Sequence, residues 1–527
     1  IIRGPGSVIY GGFAELAVIN VVTRSPEDVR GASASVSYGR MAGALARSNV
    51  SLSAASPVDG VPGLEFGAGL FLGKGNRSDR TYRDLSGRSY SLAGQSALDP
   101  RYLNAVLKYR GLSVRFIMDH YRMTQRDGFG DVLAKADEQT FPAYHVEAKY
   151  DWRVHPDVTL LPRFAFKHQV PWRILDKSSP AFSNRSEQEY TGGLRVSWDP
   201  LDSLNLLAGV EGCVIRAGLI DEELVGLHRP YGNGRTSVSY WDVATLAQLA
   251  WENPIVDVTA GGRLEYHSAA GWSMVPRAAL TKAVDWFHAK AMFSMAFRNP
   301  GTMNLALNPG LAPERTRVFE VELGARIGRY LLFAVTGYDI TIEDAIVYQS
   351  STKPDGTLVE TYRNIGRTGA RGLTSELRLR HPRVWANLGY SFYTAAGRNG
   401  GSPYEVPGRD DVLLGFAPHK LTLNGSAKLT GHLAVSPSLV FLHERAGYTG
   451  LDAGGNRAAT MLDPTVLLDL FIEYRDAGLK GLDLGFGVYN LLDHDAPYVQ
   501  PYDGGHAPLP GPSREFMGRV TWSHRFD

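Results

Sequence analysis

The sequence predicts an all-β protein: a transmembrane antiparallel β-barrel of about 22 strands. Three observations predict it. From Gly31 onward, segments of about ten to fifteen residues alternate apolar and polar with period 2. Short turns and long polar stretches alternate along the whole chain. No apolar run of 18 residues occurs, so there is no transmembrane helix. A barrel accounts for that absence, because period-2 alternation hides the hydrophobicity of each strand.

The first two dozen residues are of another kind. Arg3-Gly4-Pro5-Gly6 breaks any regular element, since Pro lacks an N–H and Gly accepts positive φ. The β-branched run Val18 to Thr23 then predicts a buried strand. A small element is thus followed by a β-structure wide enough to hold it.

The strands follow in order. In Phe287 to Arg298 every odd position is apolar, while His288, Lys290 and Arg298 fall on even ones. In Leu482 to Val488 the even positions are apolar. Short turns are expected at Pro57–Gly63, Arg110-Gly111, His155-Pro156, Asp199–Asp202, Glu252–Pro254, Val284–Trp286, Gly328, His381–Arg383, Thr430–His432 and Asp476–Lys480. Long polar stretches cover 75–100, 124–140, 171–186, 217–236, 299–314, 343–360, 397–416, 446–463 and 492–512, with two short links near Met41 and Ala269. That pattern gives about 11 connections at one rim and about 10 at the other, as in outer-membrane barrels with short periplasmic turns and long extracellular loops. An even strand count puts both barrel ends at the periplasmic rim. The last strand, Arg514 to Phe526, sets Phe516, Gly518, Val520, Trp522, His524 and Phe526 on one face, suited to lipid with His524 near the headgroups. Glu515, Arg519, Thr521 and Arg525 share the other, suited to a wet lumen. A β-propeller would repeat a blade signature every ~40–50 residues, and none is visible.

Composition narrows function. The net charge is +1, so no strong field favours nucleic acid. The 25 Tyr suit membrane–water interfaces. Cys213 is the single cysteine, which excludes an intrachain disulfide and a Cys-based metal site. No zinc-protease or Gly-x-Ser-x-Gly motif occurs, and Gly69 to Gly75 lacks the spacing of a phosphate loop, so no enzyme is expected.

Ile2-Arg3-Gly4-Pro5, Tyr10-Gly11, Val18-Ile19-Asn20 and Thr23-Arg24 resemble the end of the plug domain of TonB-dependent outer-membrane receptors. The family usually carries small residues and a Gly pair where this chain has Glu15-Leu16-Ala17. Further resemblances are Phe297-Arg298-Asn299-Pro300 with Asn308 to Glu314, Asn364-Ile365-Gly366 with Arg371 to Leu377, and Asn490-Leu491-Leu492-Asp493. The terminal aromatic alternation is similar to the family's barrel-assembly signal, with Asp527 added after Phe526. The resemblance implies two domains: residues 1–30 as the C-terminal remnant of a plug inside the lumen, and 31–527 as the barrel. The chain begins within the plug motif, without an initiator Met or signal peptide, so the reading expects the upstream plug and its coupling peptide to be missing here.

Candidate site residues follow. In the plug end, Arg3, Glu15 and Arg24 are candidates for an ionic lock to the barrel wall, either releasable or a permanent structural pairing. Among the long stretches, Arg77, Tyr82, Arg83, Trp172, Arg173, His228, Tyr231, Tyr348, Tyr498, Tyr502 and His506 are candidates for ligand binding, since cationic and aromatic groups suit an anionic solute or lipopolysaccharide phosphates. Solvated or loop-stabilising roles stand beside that reading. Asp127 to Asp131 lacks EF-hand spacing and reads as a turn. The stretch Thr302 to Leu311 contains no His, which argues against haem. No cofactor or metal is expected.

The resemblance implies an importer that captures a scarce solute: a ferric siderophore, a corrinoid, a metal chelate or a saccharide. Its implied partners are an inner-membrane TonB-like energy transducer acting through the upstream region, outer-membrane lipid and lipopolysaccharide, and the small-molecule ligand. No nucleic acid is expected, and lipoprotein or other complex subunits stay open. The alternative is a non-transporting outer-membrane barrel, acting as a scaffold subunit or a passive channel.

Overall fold

In the computed structural model, all residues are described except 1, 4–6, 13–16, 128–131, 180, 225–227, 229, 232–233, 353–357, 401–403, 501–505 and 527; Ile2, Arg3, Ser7, Tyr10, 350–352 and 358–360 are described in backbone alone. The barrel strands are β1 Gly31–Arg40, β2 Leu45–Pro57, β3 Leu64–Asn76, β4 Ala97–Tyr109, β5 Leu112–Gln125, β6 Asp137–Tyr150 (extended by Trp152–His155) and β7 Val158–Gln169. Next come β8 Arg185–Leu201, β9 Leu204–Leu219, β10 Ser237–Trp251, β11 Asp257–His267, β12 Gly271–Val284, β13 Phe287–Arg298 and β14 Glu314–Ile327. The circuit ends with β15 Leu331–Thr352, β16 Leu358–Arg380, β17 Val384–Thr394, β18 His419–Lys428, β19 Leu433–Leu442, β20 Thr465–Tyr474, β21 Leu482–Tyr489 and β22 Glu515–Arg525. Each strand pairs antiparallel with its neighbours. β1 then pairs with β22, from Gly31↔Arg525 to Arg40↔Phe516, and closes the sheet. Closure leaves no unpaired edge, which lipid would not tolerate.

Connections sort by rim as the sequence predicts. Arg110 and Gly111 join β4 to β5 with φ of 45° and 89°, the two left-handed residues of a tight hairpin. A Cβ at Gly111 would lie 2.9 Å from the Asp151 carbonyl, so glycine is required there. Long loops at the other rim carry small hairpins of their own: Thr81–Arg83 with Ser89–Ser91, Glu405–Val406 with Arg409–Leu413, and Arg445–Leu451 with Arg457–Leu462. Two expectations are corrected. The stretch 343–360 is mostly strand: β15 and β16 run on together past Asp344, whose φ of 55° marks an irregularity, and Ile346-Val347-Tyr348 keeps the pairing going. The Glu343-Asp344 pair looks loop-like in sequence, but pairing carries these strands of 22 and 23 residues through it, and Ala345, Ile346 and Val347 beyond it are buried. Val18 to Thr23 is not a buried strand either. Only Ala17–Val18 pairs, with Ile2–Arg3, while Val21 and Val22 are 73% and 83% exposed.

The outer wall is apolar. On β14, Phe319, Val321 and Leu323 are exposed in sequence steps of two, while Val318 is buried. On β10, Trp241 and Trp251 face outward at opposite ends. Their separation of ten positions, on a strand tilted about 40°, spans about 25 Å, the height of an outer-membrane apolar band with an aromatic residue at each interface. Among the described residues no helix is long and apolar enough to cross a membrane.

The N-terminal segment lies against the inner wall. Helix α1 (Ser7–Tyr10) packs on β11, β12 and β13. Helix α2 (Pro26–Val29) is capped by Ser25, whose Oγ accepts from the Asp28 N–H at 3.2 Å. Pro26 rests against the inward face of β3 and β4, close to Gly67 and Val106. A third helix, α3 (Thr302–Leu307), sits in the loop between β13 and β14.

Candidate functional site

The seat of the N-terminal segment is built from small and apolar contacts. Val8 is buried against Val275 of β12 and Phe297 of β13. Phe297 is the last odd position of the alternating run Phe287 to Arg298, and it is buried against this segment rather than facing lipid. Gly11 has φ 76°, and a Cβ there would lie 3.3 Å from Arg263 Nη2; a Cβ at Gly12 would lie 2.9 Å from the Phe297 ring. Arg195 Nη2 donates to the Ile9 carbonyl at 2.9 Å.

Behind this seat runs a ladder of alternating charge on inward positions of β6 to β11. Glu147 pairs with Lys149 and with Arg163, each at 2.7 Å. Arg163 and Arg195 stand 3.7 Å and 3.6 Å from Glu211. Glu211 accepts from the buried Arg263 at 3.1 Å, and Arg263 also pairs with Glu265 at 2.7 Å. Asn299 Nδ2 donates to Glu265 at 2.9 Å. The buried carboxylates are thus answered by wall arginines, as burial of charge demands.

The residues read from sequence as a lock fall differently. Arg3 pairs its backbone with Ala17, and its side chain lies outside the described residues, as does Glu15. Arg24 is exposed beside a groove lined by Lys108, Arg115, Glu147 and Lys149, with no ion pair among the described residues. The signal sequence reasoning missed is the ladder itself, whose members come from five strands.

At the long-loop rim, three loops are pinned by one buried cluster. Asp127 accepts from Arg77 Nη2 and from Tyr90 Oη, both at 3.0 Å. His506 Nε2 lies 3.3 Å from the other Asp127 oxygen, and Nδ1 lies 2.7 Å from its acceptor, the Ala507 carbonyl. Tyr82 is fully buried, with its ring 5.7 Å from Tyr90 edge-on and 5.3 Å from His506. Burial opposes ionisation of Asp127, but the His506 hydrogen bond and the Arg77 guanidinium outweigh it and hold the carboxyl well below the usual range. Burial, reinforced by the Asp127 charge, pushes the phenols of Tyr82 and Tyr90 up. Arg80 adds an exposed pair to Asp493 at 2.8 Å, and Ser78 Oγ donates to the Gly511 carbonyl at 2.7 Å.

The other candidates divide in the same way. His228 is fully buried; its Nδ1 accepts from the Asn184 N–H at 3.1 Å, so the ring proton sits on Nε2, 2.9 Å from the Asp221 carbonyl. Tyr231 is buried under the Arg185 guanidinium, 5.4 Å from its ring. Trp172 stands edge-on to Phe141 at 6.3 Å, and Arg173 bridges Thr140 through backbone bonds. Tyr348 meets Tyr362 edge-on at 5.6 Å on β15 and β16. Arg83 is exposed, and Tyr498 is 56% exposed although its backbone bridges Leu509. Tyr502 lies outside the described residues. Among the described residues no group of His, Cys, Asp or Glu could hold a metal ion.

Residues 36–491 match the family model described as TonB dependent receptor-like, beta-barrel. No curated protein matches the sequence. Among solved structures, the ferric enterobactin receptor of Pseudomonas aeruginosa, a mutant in complex with enterobactin, is 16% identical, with 99% of this chain and 85% of that chain covered and a TM-score of 0.77. The ferric-catecholate import receptor Fiu of E. coli K12 is 14% identical, with 99% and 86% covered and a TM-score of 0.76. The siderophore receptor PirA of Acinetobacter baumannii is 13% identical, with 99% and 84% covered and a TM-score of 0.74.

Proposed function

Because this chain belongs to the TonB-dependent receptor family, whose barrel model matches most of its length, we propose that it imports a ferric siderophore across the outer membrane. The observation that carries the proposal is the stopper: Val8, Ile9, Gly11 and Gly12 seated on the inner wall of a closed barrel. A lumen this wide needs such an obstruction, and an obstruction that is seated by few bonds can be moved. The family's members are receptors and transporters rather than enzymes.

In this reading residues 1–30 are the end of the plug and 31–527 the barrel. The short turns and both barrel ends face the periplasm, and the long loops face outside. Exposed Arg83 and Tyr498 meet the solute first. The buried Arg77–Asp127–His506 cluster holds the entry loops in place. A corrinoid, another metal chelate or a saccharide would use the same route, but the siderophore is preferred because the three solved receptors above are named for siderophores. Energy comes from a TonB-like inner-membrane partner.

The test is uptake of radiolabelled iron presented as a ferric catecholate to iron-starved cells. Deleting the gene should abolish uptake, and re-expression should restore it only where the energy transducer is intact. Uptake that survives deletion, or returns without the transducer, would reject the proposal.

A further inference from the structure

The short-turn rim is divided by charge. Its turns from β6 to β13 carry Asp151, Asp157, Asp199, Asp202, Glu252 and Asp285. The turns after β14, β16 and β18 differ: residues 326–333, 377–385 and 425–433 contain no Asp or Glu, but they hold Arg326, Arg329, Arg378, Arg380, Arg383 and Lys428. A shallow recess lies between the first two of these turns, lined by Arg329, Tyr330, Arg380, His381, Pro382 and Trp385. The turns are fastened to one another. The Arg380 N–H donates to the Tyr330 carbonyl and the Lys428 N–H to the Arg383 carbonyl, both at 2.8 Å. The Tyr330 ring meets His381 edge-on at 4.9 Å, and the Arg380 guanidinium lies 5.8 Å from the Trp385 ring.

Most of these cations are not answered from within the fold. Arg378 is, since both Glu376 oxygens accept from it, at 2.8 Å and 2.7 Å. Arg326, Arg329, Arg380 and Arg383 are exposed and have no ion pair among the described residues. Lipid does not reach the recess. Ile327, Leu331 and Leu379 continue the lipid face of Val321 and Leu323 in register. Arg380 and Trp385 stand opposite each other on the other face, at the mouth of the lumen. A ligand therefore comes from the aqueous side. Guanidinium forks match carboxylates through paired bonds, and exposed Tyr and Trp rings add an apolar platform with a polar edge. A stable protein partner would bury about 800 Å² per side, more than three short turns present. A thin polymer with a repeated carboxylate needs only the recess, and it gains from each repeat.

We propose that this recess binds peptidoglycan, a polymer of sugars and carboxylate-bearing peptides. Arg329 and Arg380 take peptide carboxylates, and Tyr330 and Trp385 pack against the sugar rings. The site rests on the orientation proposed above, which puts the short turns on the periplasmic side, where that polymer lies.

Co-sedimentation of the purified, detergent-solubilised protein with purified peptidoglycan sacculi tests the site, with carboxyl-amidated sacculi and anionic phospholipid vesicles as the other probes. The wild type should sediment with native sacculi and only weakly with amidated ones. The double variant Arg329→Gln, Arg380→Gln should bind native sacculi about tenfold less, since it loses two charge-assisted contacts. Arg329→Lys keeps the charge without the fork and should show an intermediate loss. Arg153→Gln, an exposed arginine in the acidic sector of the rim, should behave as wild type. Heat-modifiable gel migration identifies folded barrel in every sample. Equal sedimentation by wild type and double variant, binding indifferent to amidation, or the same variant dependence with vesicles in place of sacculi would overturn the proposal. Maleimide labelling of Asp59→Cys, on another short turn, with Cys213→Ser, should require a permeabilised outer membrane. Labelling on intact cells would overturn the orientation and the proposal with it, whereas failed sedimentation overturns the site alone.

Discussion

Asp127 and His506 face each other at 3.3 Å, and through them the loops after β3, β5 and β21 become one unit. Asp127→Asn removes the carboxylate shared by Arg77, Tyr90 and His506 and leaves a buried guanidinium unpaired. Breaking a buried charge pair in this way costs about 3–5 kcal/mol. Hydrogen exchange at 77–96 should therefore accelerate, while exchange in β10 to β14 should not change.

The pH dependence of that unit has a definite sign. The Asp127 pKa is depressed in the fold, so its stabilisation is complete above the unfolded value near 4 and is lost as pH falls through the lower folded value. Through Asp127, loop protection should be unchanged on going from pH 7 to about pH 5 and should fall only below about pH 4. Loss of loop protection already complete at pH 5 would point to another group.

The seat of the N-terminal segment depends on two glycines. Gly11→Val places a β-branched residue at φ 76° beside Arg263, a strain of about 1–2 kcal/mol. Arg195→Ala removes the donor to the Ile9 carbonyl, and hydrogen bonds to charged groups contribute about 1.5–3 kcal/mol. Both variants should make residues 1–30 more sensitive to limited proteolysis, with barrel unfolding little altered.

The outer wall predicts a contrast between neighbours on β14. Val321 is 55% exposed on the lipid face, so Val321→Arg should destabilise the barrel by about 2–4 kcal/mol. Glu322, one residue on, faces inward beside His288 at 3.1 Å, and Glu322→Gln should cost far less. Urea unfolding in lipid vesicles measures both.

The barrel was legible in the sequence because its signals are local. Alternation along Phe287 to Arg298 and turn chemistry at Arg110-Gly111 need no knowledge of distant residues. Local reading failed where tertiary contacts decide. The Glu343-Asp344 pair reads as loop, yet pairing with β16 carries the strand through it. Tyr82, His228, Tyr231 and His506 read as surface loop residues, and loop-on-loop packing buries all four. Tyr82 and His506 lie near opposite ends of the chain and meet only because β1 and β22 close the circle. The charge ladder from Glu147 to Glu265 is invisible for the same reason, since it requires the register of six consecutive strands.

The placement of the first residues inside the barrel is tested most directly by disulfide trapping. With Cys213→Ser as background, Val8→Cys is combined either with Val275→Cys, on the inner wall, or with Met274→Cys, its outward neighbour, 70% exposed. Oxidation should cross-link the Val275→Cys pair and leave the Met274→Cys pair open. A cross-link to Met274→Cys, or none to Val275→Cys in folded barrel, would contradict a segment seated in the lumen.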